Sequence, residues 1–129
     1  MKALVKKPKV LLYTPLNINN GLYTKIFEDA KCSVLSLTTS DFYTPVGDLA
    51  FGNRDLTPSS YVPNEAFAVF CFCTSAQINQ ILKALRAPGV PPLNLKAVLT
   101  PDNSTWPLRQ LYEEIRAEHQ LMHTQPSKS

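Results

Sequence analysis

Residues 66–73 read Ala-Phe-Ala-Val-Phe-Cys-Phe-Cys, the most apolar run in the chain. The run does not alternate with polar residues, so both faces of whatever it forms must be covered. It is bounded by Pro63-Asn64 and Thr74-Ser75 and is too short for a helix of its own, so it reads as a strand in the middle of a sheet. Thr74-Ser75-Ala76-Gln77 then has the pattern of a capping box, with the hydroxyl accepting from the third helical N–H and Gln77 reaching back. Ile78, Ile81, Leu82 and Leu85 give the buried face of the helix that follows. At 129 residues the chain fits one domain. A core of that size requires neither disulfides nor a metal.

The other elements fall around this strand. Val10-Leu11-Leu12-Tyr13, between Pro8 and Pro15, reads as a first strand of the same doubly covered kind. Leu22, Tyr23, Ile26, Phe27 and Ala30 form a helical stripe ending near Lys31, with Asn19 or Asn20 as N-cap. Residues 33–38, with Val34, Leu35 and Leu37, make a second strand. Pro45 and Gly47 suit the second and fourth positions of a type I turn, and Leu49-Ala50-Phe51 a single helical turn. Pro88-Gly89 ends the helix that begins after Thr74. Ala97-Val98-Leu99 is a further strand, and Leu108, Leu111, Tyr112 and Ile115 place a last helix over about 106–121, with Pro107 in its first turn. The expected architecture is α/β, one domain over 1–123, with a four-stranded, mostly parallel sheet in β-α-β-β-α-β-α order. A two-layer ferredoxin-like sandwich is the alternative. The serine- and proline-interrupted residues 53–65 are expected to be a mobile loop, and 124–129 a disordered tail. No internal repeat is visible beyond the succession of strands and helices.

Composition narrows the function without naming it. The net charge of +3 is modest, and much of it lies in Lys2, Lys6, Lys7 and Lys9, a solvated end rather than a basic face interleaved with aromatics. That argues against nucleic-acid binding. The amino-terminal residues show no apolar core of a signal peptide, and no run nears the length of a membrane span. With three cysteines in no extracellular spacing, the expectation is a cytoplasmic protein with reduced thiols and no membrane association. A sheet edge or helix face is open to homodimer formation.

Candidate chemistry is sparse. Cys71 and Cys73 are two apart on a strand, which puts both thiols on one face. They are poorly placed to bridge and lack two further zinc ligands, so they read as small core residues unless Cys73 is exposed against the helix that follows. His119 and His123 have the spacing of two ligands on a helix, but no carboxylate cluster supports a metal, and Glu113, Glu114 and Glu118 read as a solvated helix face. No phosphate loop, nucleophile triad or paired acids occur, so neither a metal nor a cofactor is expected. One constellation stands out: Thr100-Pro101-Asp102-Asn103-Ser104-Thr105-Trp106 follows the end of a strand and opens a helix, where α/β sheets bind ligands. Thr100, Asn103 and Trp106, the only tryptophan, are its candidate binding residues. The competing and favoured reading has Asn103 capping the turn and Trp106 packing the helix onto the sheet.

Pro45-Val46-Gly47-Asp48-Leu49 together with Lys96-Ala97-Val98-Leu99-Thr100-Pro101-Asp102-Asn103-Ser104-Thr105-Trp106 resembles the Domain of Unknown Function 3783 family, from the first strand to about His119. The resemblance implies a small bacterial cytosolic protein and lends no reaction, substrate or catalytic residue. The loop at 53–65 is longer than that family leads one to expect. The function expected is a non-enzymatic binding or regulatory module. The alternative is a small-ligand enzyme or carrier using the turn at 100–106.

Overall fold

The computed structural model describes residues 6–15 and 20–124, with side chains up to Leu121. Four strands, β1 (Lys9–Tyr13), β2 (Ser33–Ser36), β3 (Phe67–Cys71) and β4 (Leu95–Val98), form one sheet in the order β2-β1-β3-β4. The outer pairs β1/β2 and β3/β4 are parallel; the central pair β1/β3 is antiparallel. Four helices accompany them: α1 (Gly21–Asp29), α2 (Val46–Ala50), α3 (Ser75–Leu85) and α4 (Leu108–Thr124), with short 3-10 turns at Thr39–Asp41 and Asn103–Thr105. The α/β architecture read from the sequence is therefore present, with one antiparallel pair in an otherwise parallel sheet.

Strand alternation divides the core into two layers. Val10, Leu12, Ala68 and Phe70 point to one face and meet Tyr23 and Phe27 of α1 and Ile81 of α3. Leu11, Phe67, Val69 and Cys71 point to the other and meet Val46 and Leu49 of α2 and Leu108, Leu111 and Tyr112 of α4. Helices cover both faces, as the non-alternating runs at 10–13 and 66–73 require, and the two-layer ferredoxin-like alternative is set aside. All five residues of β3 are buried.

The sheet also contains a repeat that the sequence did not disclose. Leu11 stands opposite Val69 at the middle of the antiparallel pair. A pseudo-twofold rotation about that point exchanges β1 with β3 and β2 with β4, turning Lys9 opposite Ser33 into Phe67 opposite Leu95. The equivalence continues past the strands. Leu37 donates its N–H to the Leu12 carbonyl at 2.8 Å, and Leu99 donates to Phe70 at 2.9 Å. Pro45 and Pro107 face each other across an isolated antiparallel bridge. There Val46 donates to the Trp106 carbonyl at 2.9 Å and Leu108 donates to the Thr44 carbonyl at 3.0 Å, each the symmetry counterpart of the other. Leu37-Thr38-Thr39-Ser40-Asp41-Phe42-Tyr43-Thr44-Pro45-Val46 and Leu99-Thr100-Pro101-Asp102-Asn103-Ser104-Thr105-Trp106-Pro107-Leu108 thus occupy equivalent places. Each half of the chain is one strand-helix-strand-turn-helix unit.

This symmetry corrects the reading of Pro45. Its ψ of 140° excludes a type I turn. It is instead the N-cap of α2, whose carbonyl accepts from Leu49, as the Pro107 carbonyl accepts from Leu111. A Cβ on Gly47 would come within 3.0 Å of the Ser104 carbonyl oxygen, so glycine is what lets α2 lie against the second turn. Asn20 is the N-cap of α1 but makes no side-chain capping bond; Asn19 lies outside the described residues, as does the tail from 125.

Residues 53–65 contain no helix or strand and make contacts with the rest of the fold at Arg54, Asp55, Thr57, Tyr61 and Pro63. Arg54 reaches Asp41, the Asp55 amide donates to Thr44 Oγ1 at 3.2 Å, and the Thr57 amide donates to the Ser40 carbonyl at 3.1 Å. Tyr61 donates to Glu113 at 2.8 Å, with the Arg109 guanidinium 4.6 Å from its ring centre, and the Pro63 carbonyl accepts from Tyr13 at 2.8 Å. Hydrogen exchange should find the Asp55 and Thr57 amides slower than those of Ser59 and Ser60; uniform fast exchange from 53 to 62 would mean that these anchors open freely.

α1 and α2 end alike, and the comparison yields a second prediction. Gly52 at φ +82° follows α2, and Asn53 donates back to the Asp48 carbonyl at 2.8 Å; Lys31 at φ +68° follows α1, and Cys32 donates back to Phe27 at 3.0 Å. A left-handed lysine carries a steric cost that glycine avoids. Lys31→Gly should raise stability by about 0.5–1 kcal/mol, the steric gain being partly offset by glycine's greater chain entropy when unfolded. Urea unfolding with an unchanged m-value would measure it.

Candidate functional site

The two equivalent turns carry the polar chemistry of the fold. In the second, Asn103 is buried. Its Oδ1 accepts from the Thr100 amide at 2.9 Å, its Nδ2 donates to the Val98 carbonyl at 3.1 Å, and its own amide donates to Thr100 Oγ1 at 3.1 Å. One carboxamide, both acceptor and donor, closes the turn and holds the end of β4.

In the first turn Asp41 takes that place and is fully buried. Its Oδ2 accepts from the Thr38 amide at 2.7 Å. A carboxylate cannot donate, so the carbonyl of Ser36, the counterpart of Val98, needs another partner. Arg54 supplies it: its guanidinium donates to the Ser36 carbonyl at 3.0 Å and to both Asp41 oxygens, at 2.9 and 2.5 Å. Asp41 and Arg54 together reproduce what Asn103 does alone. Burial pushes the Asp41 carboxyl up, but the hydrogen bonds from Arg54 and Thr38 outweigh it and hold the group below the usual carboxylate range.

A cleft of about 540 Å³ opens at the carboxyl end of β3 and β4. Its floor is Phe72 and Leu99, with Phe51 beside them, the two phenylalanine rings 5.3 Å apart. Thr100, Ser104 and Thr105 line the cleft from the second unit, and Lys6, Asp48 and Asn53 from the first. Phe72 has φ +60°, an outlier for a bulky side chain. Such strain costs on the order of 1–3 kcal/mol and collects at functional positions. A second cleft, of about 640 Å³, lies at the carboxyl end of β1 and β2. Thr14, Leu37, Thr38 and Thr39 line it in the places that Phe72, Leu99, Thr100 and Pro101 hold in the first, while Val62 forms another wall. The two clefts share a floor plan and differ in their walls.

Of the three residues singled out from the sequence, Thr100 lines the cleft over β3 and β4. Asn103 lies beneath the turn with its amide committed to backbone. Trp106 is half-buried and packs at the margin of the layer formed with α2 and α4. Gly47, Asp48, Phe51 and Asn53 are not marked in the sequence because they reach the cleft from the other unit, and Phe72 because its left-handed backbone breaks the strand alternation. The Pro-Val-Gly-Asp-Leu stretch was the one available signal.

The cysteines are arranged differently from the sequence expectation. The left-handed conformation at Phe72 breaks the alternation of the strand, so Cys71 enters the layer with α2 and α4 while Cys73 borders the layer with α1 and α3. The two thiols do not share a face. Cys73 instead lies 3.8 Å from Cys32. Burial pushes the Cys71 thiol up to about 12. The His123 side chain lies outside the described residues. Among the described residues, no group of three or more His, Cys, Asp or Glu is arranged to hold a metal ion, and no helix is long and apolar enough to cross a membrane.

The family model described as Domain of unknown function (DUF3783) matches residues 66–122. That segment belongs to this family. It contains the second unit but for the last two residues of α4, with the Lys96–Trp106 element inside it, whereas the Pro45–Leu49 element and the rest of the first unit lie outside the match. No curated protein and no solved structure matches the chain.

The paired turns generate a double-mutant prediction. Arg54→Ala strands a buried carboxylate and should cost about 2–3 kcal/mol, less than for a fully enclosed pair because the Arg54 side chain is 30% exposed. Asp41→Asn combined with Arg54→Ala should recover most of the loss, because a carboxamide in the first turn can adopt the bonds that Asn103 makes in the second. Asp41 also imposes a pH dependence. Its lowered folded-state value means a contribution present above the unfolded carboxylate value of about 3.9 and lost as pH falls through the folded one. Urea titrations from neutral to acid pH should show the wild type losing that increment and the double variant lacking it.

Proposed function

We propose that this chain is a cytoplasmic, non-enzymatic binding module whose ligand site is the cleft at the carboxyl end of β3 and β4. The observation carrying this reading is the cleft itself: an apolar floor over strained Phe72, rimmed by hydroxyls from one unit and by Asp48, Asn53 and the cation Lys6 from the other. Such a mixture suits a small molecule with a flat apolar part and a few hydrogen-bonding groups. Thr100 would contact the ligand, whereas Asn103 shapes the turn and Trp106 holds the bridge to α2 through its carbonyl. The same cleft would serve a small-ligand carrier, the alternative use of the turn at 100–106.

The test is a fragment screen by thermal shift, followed by amide chemical-shift mapping. Binders should move the resonances of residues 47–53, 72 and 99–105 together. Thr105→Trp places a large ring at an exposed position on the rim. It should weaken such binding by about tenfold or more, a loss of roughly 1.4 kcal/mol, while leaving Tm within about 2 °C, as surface changes usually do. Binders that map elsewhere, or bind Thr105→Trp equally well, would remove this cleft as the site.

A further inference from the structure

Cys32 and Cys73 are brought together from positions 41 residues apart, their Sγ atoms 3.8 Å from one another. The fold reaches this arrangement through its two non-glycine residues with positive φ among those described: Lys31 directly precedes Cys32, and Phe72 directly precedes Cys73. At each site the left-handed residue turns the chain sharply at the end of an element, α1 in one case and β3 in the other, and delivers the next side chain to the same point. Two sterically costly conformations converge on one pair of sulfurs.

The two thiols are unlike in access. Cys32 is buried, packed where α1 hands over to β2. Cys73 is only partly buried and sits immediately before Thr74, the N-cap of α3, so its sulfur is the one a solvent-borne oxidant can reach. Burial, and then Cys73 itself, push the Cys32 thiol up to about 12. Cys71 belongs to the opposite layer and contacts the Val69 carbonyl.

We propose that Cys73 is a hydroperoxide-reactive thiol and that Cys32 resolves it into an intrachain disulfide. In the first step the Cys73 sulfur takes one oxygen from hydrogen peroxide, the O–O bond breaks, and water leaves with the thiol proton, giving a sulfenic acid. In the second the Cys32 sulfur attacks the Cys73 sulfur, the S–O bond breaks, and a second water leaves with the Cys32 proton. Two thiols lose two electrons and one peroxide gains them. The sulfurs must close from 3.8 Å to about 2.05 Å. The bond ties the exit of α1 to the entry of α3, two helices on the same face of the sheet. It closes a long loop in the unfolded chain, so oxidation also makes the protein harder to unfold.

The test treats the folded protein with hydrogen peroxide, alkylates remaining thiols under denaturing conditions, and maps chymotryptic peptides, since cleavage after Phe72 separates Cys71 from Cys73. The wild type and Cys71→Ala should each lose about 2 Da per chain on forming the bridge. In both, the Cys32 and Cys73 peptides should be linked, and Tm should rise by about 5 °C or more. Cys32→Ala should stop at a sulfenic acid on Cys73, a gain of roughly 16 Da that dimedone captures. Cys73→Ala should form no bridge. Should either alanine variant fail to fold, the wild-type map decides alone. Three free thiols after treatment, a bridge to Cys71, or covalent dimers in place of the intrachain link would overturn the proposal.

Discussion

The structure depends on the contact between its two halves at the pseudo-twofold axis. Each unit brings two parallel strands, and a two-stranded sheet is at best marginal by itself in water. The antiparallel pairing of β1 with β3, centred on Leu11 and Val69, turns two such ribbons into one four-stranded sheet with covered faces. At the far side of the same axis, the Pro45 and Pro107 bridge joins the entries of α2 and α4 by two reciprocal hydrogen bonds. Proline has no N–H to leave unsatisfied at that position, and its φ suits the start of a helix. The symmetric contact thus sets the register of the sheet and the placement of the layer beneath it together.

Once the halves are locked in this way, the two turns can vary only where their backbone donors and acceptors still find partners. Asn103 satisfies one backbone donor and one backbone acceptor with a single amide. Its counterpart Asp41 cannot donate, and the deficit at the Ser36 carbonyl is met by Arg54 from the segment that follows α2. That requirement holds Arg54, near the start of the 53–65 segment, against the first turn. Tyr61 continues the anchoring onto α4. The first unit thus uses the connecting segment as part of its turn, and the second does not.

Divergence also shapes the clefts. Thr38 and Thr100 stand at equivalent rims. Over β3 and β4, however, the floor is Phe72 in a strained conformation, walled by Phe51 and Asp48 from the other unit. The close approach permitted by Gly47 brings these residues to the rim. Matched residues 66–122 include the floor and the Thr100 rim; the opposite wall lies outside the family match. A cleft completed by both units is a property of the pair, not of one repeat.

Strands and helices were legible in the sequence because they rest on short-range chemistry. The doubly covered runs at 10–13 and 66–73, the capping box at Thr74 and Gln77, and the apolar stripes of α1, α3 and α4 each follow from spacing within a few residues, and the structure contains them. Asn103 as a turn-closing residue followed in the same way. The repeat was not legible. Apolar strands resemble one another whatever their origin, and the shared leucines, threonines and prolines of the two turns are few and far apart in the chain. The Asp41–Arg54 substitute for Asn103, the rim contributed by α2 to the cleft, and the meeting of Cys32 with Cys73 all depend on which residues the antiparallel centre and two left-handed turns bring together. Local propensity determined the elements; only the tertiary structure decided their pairing, because contacts between residues distant in the chain leave no periodicity in it.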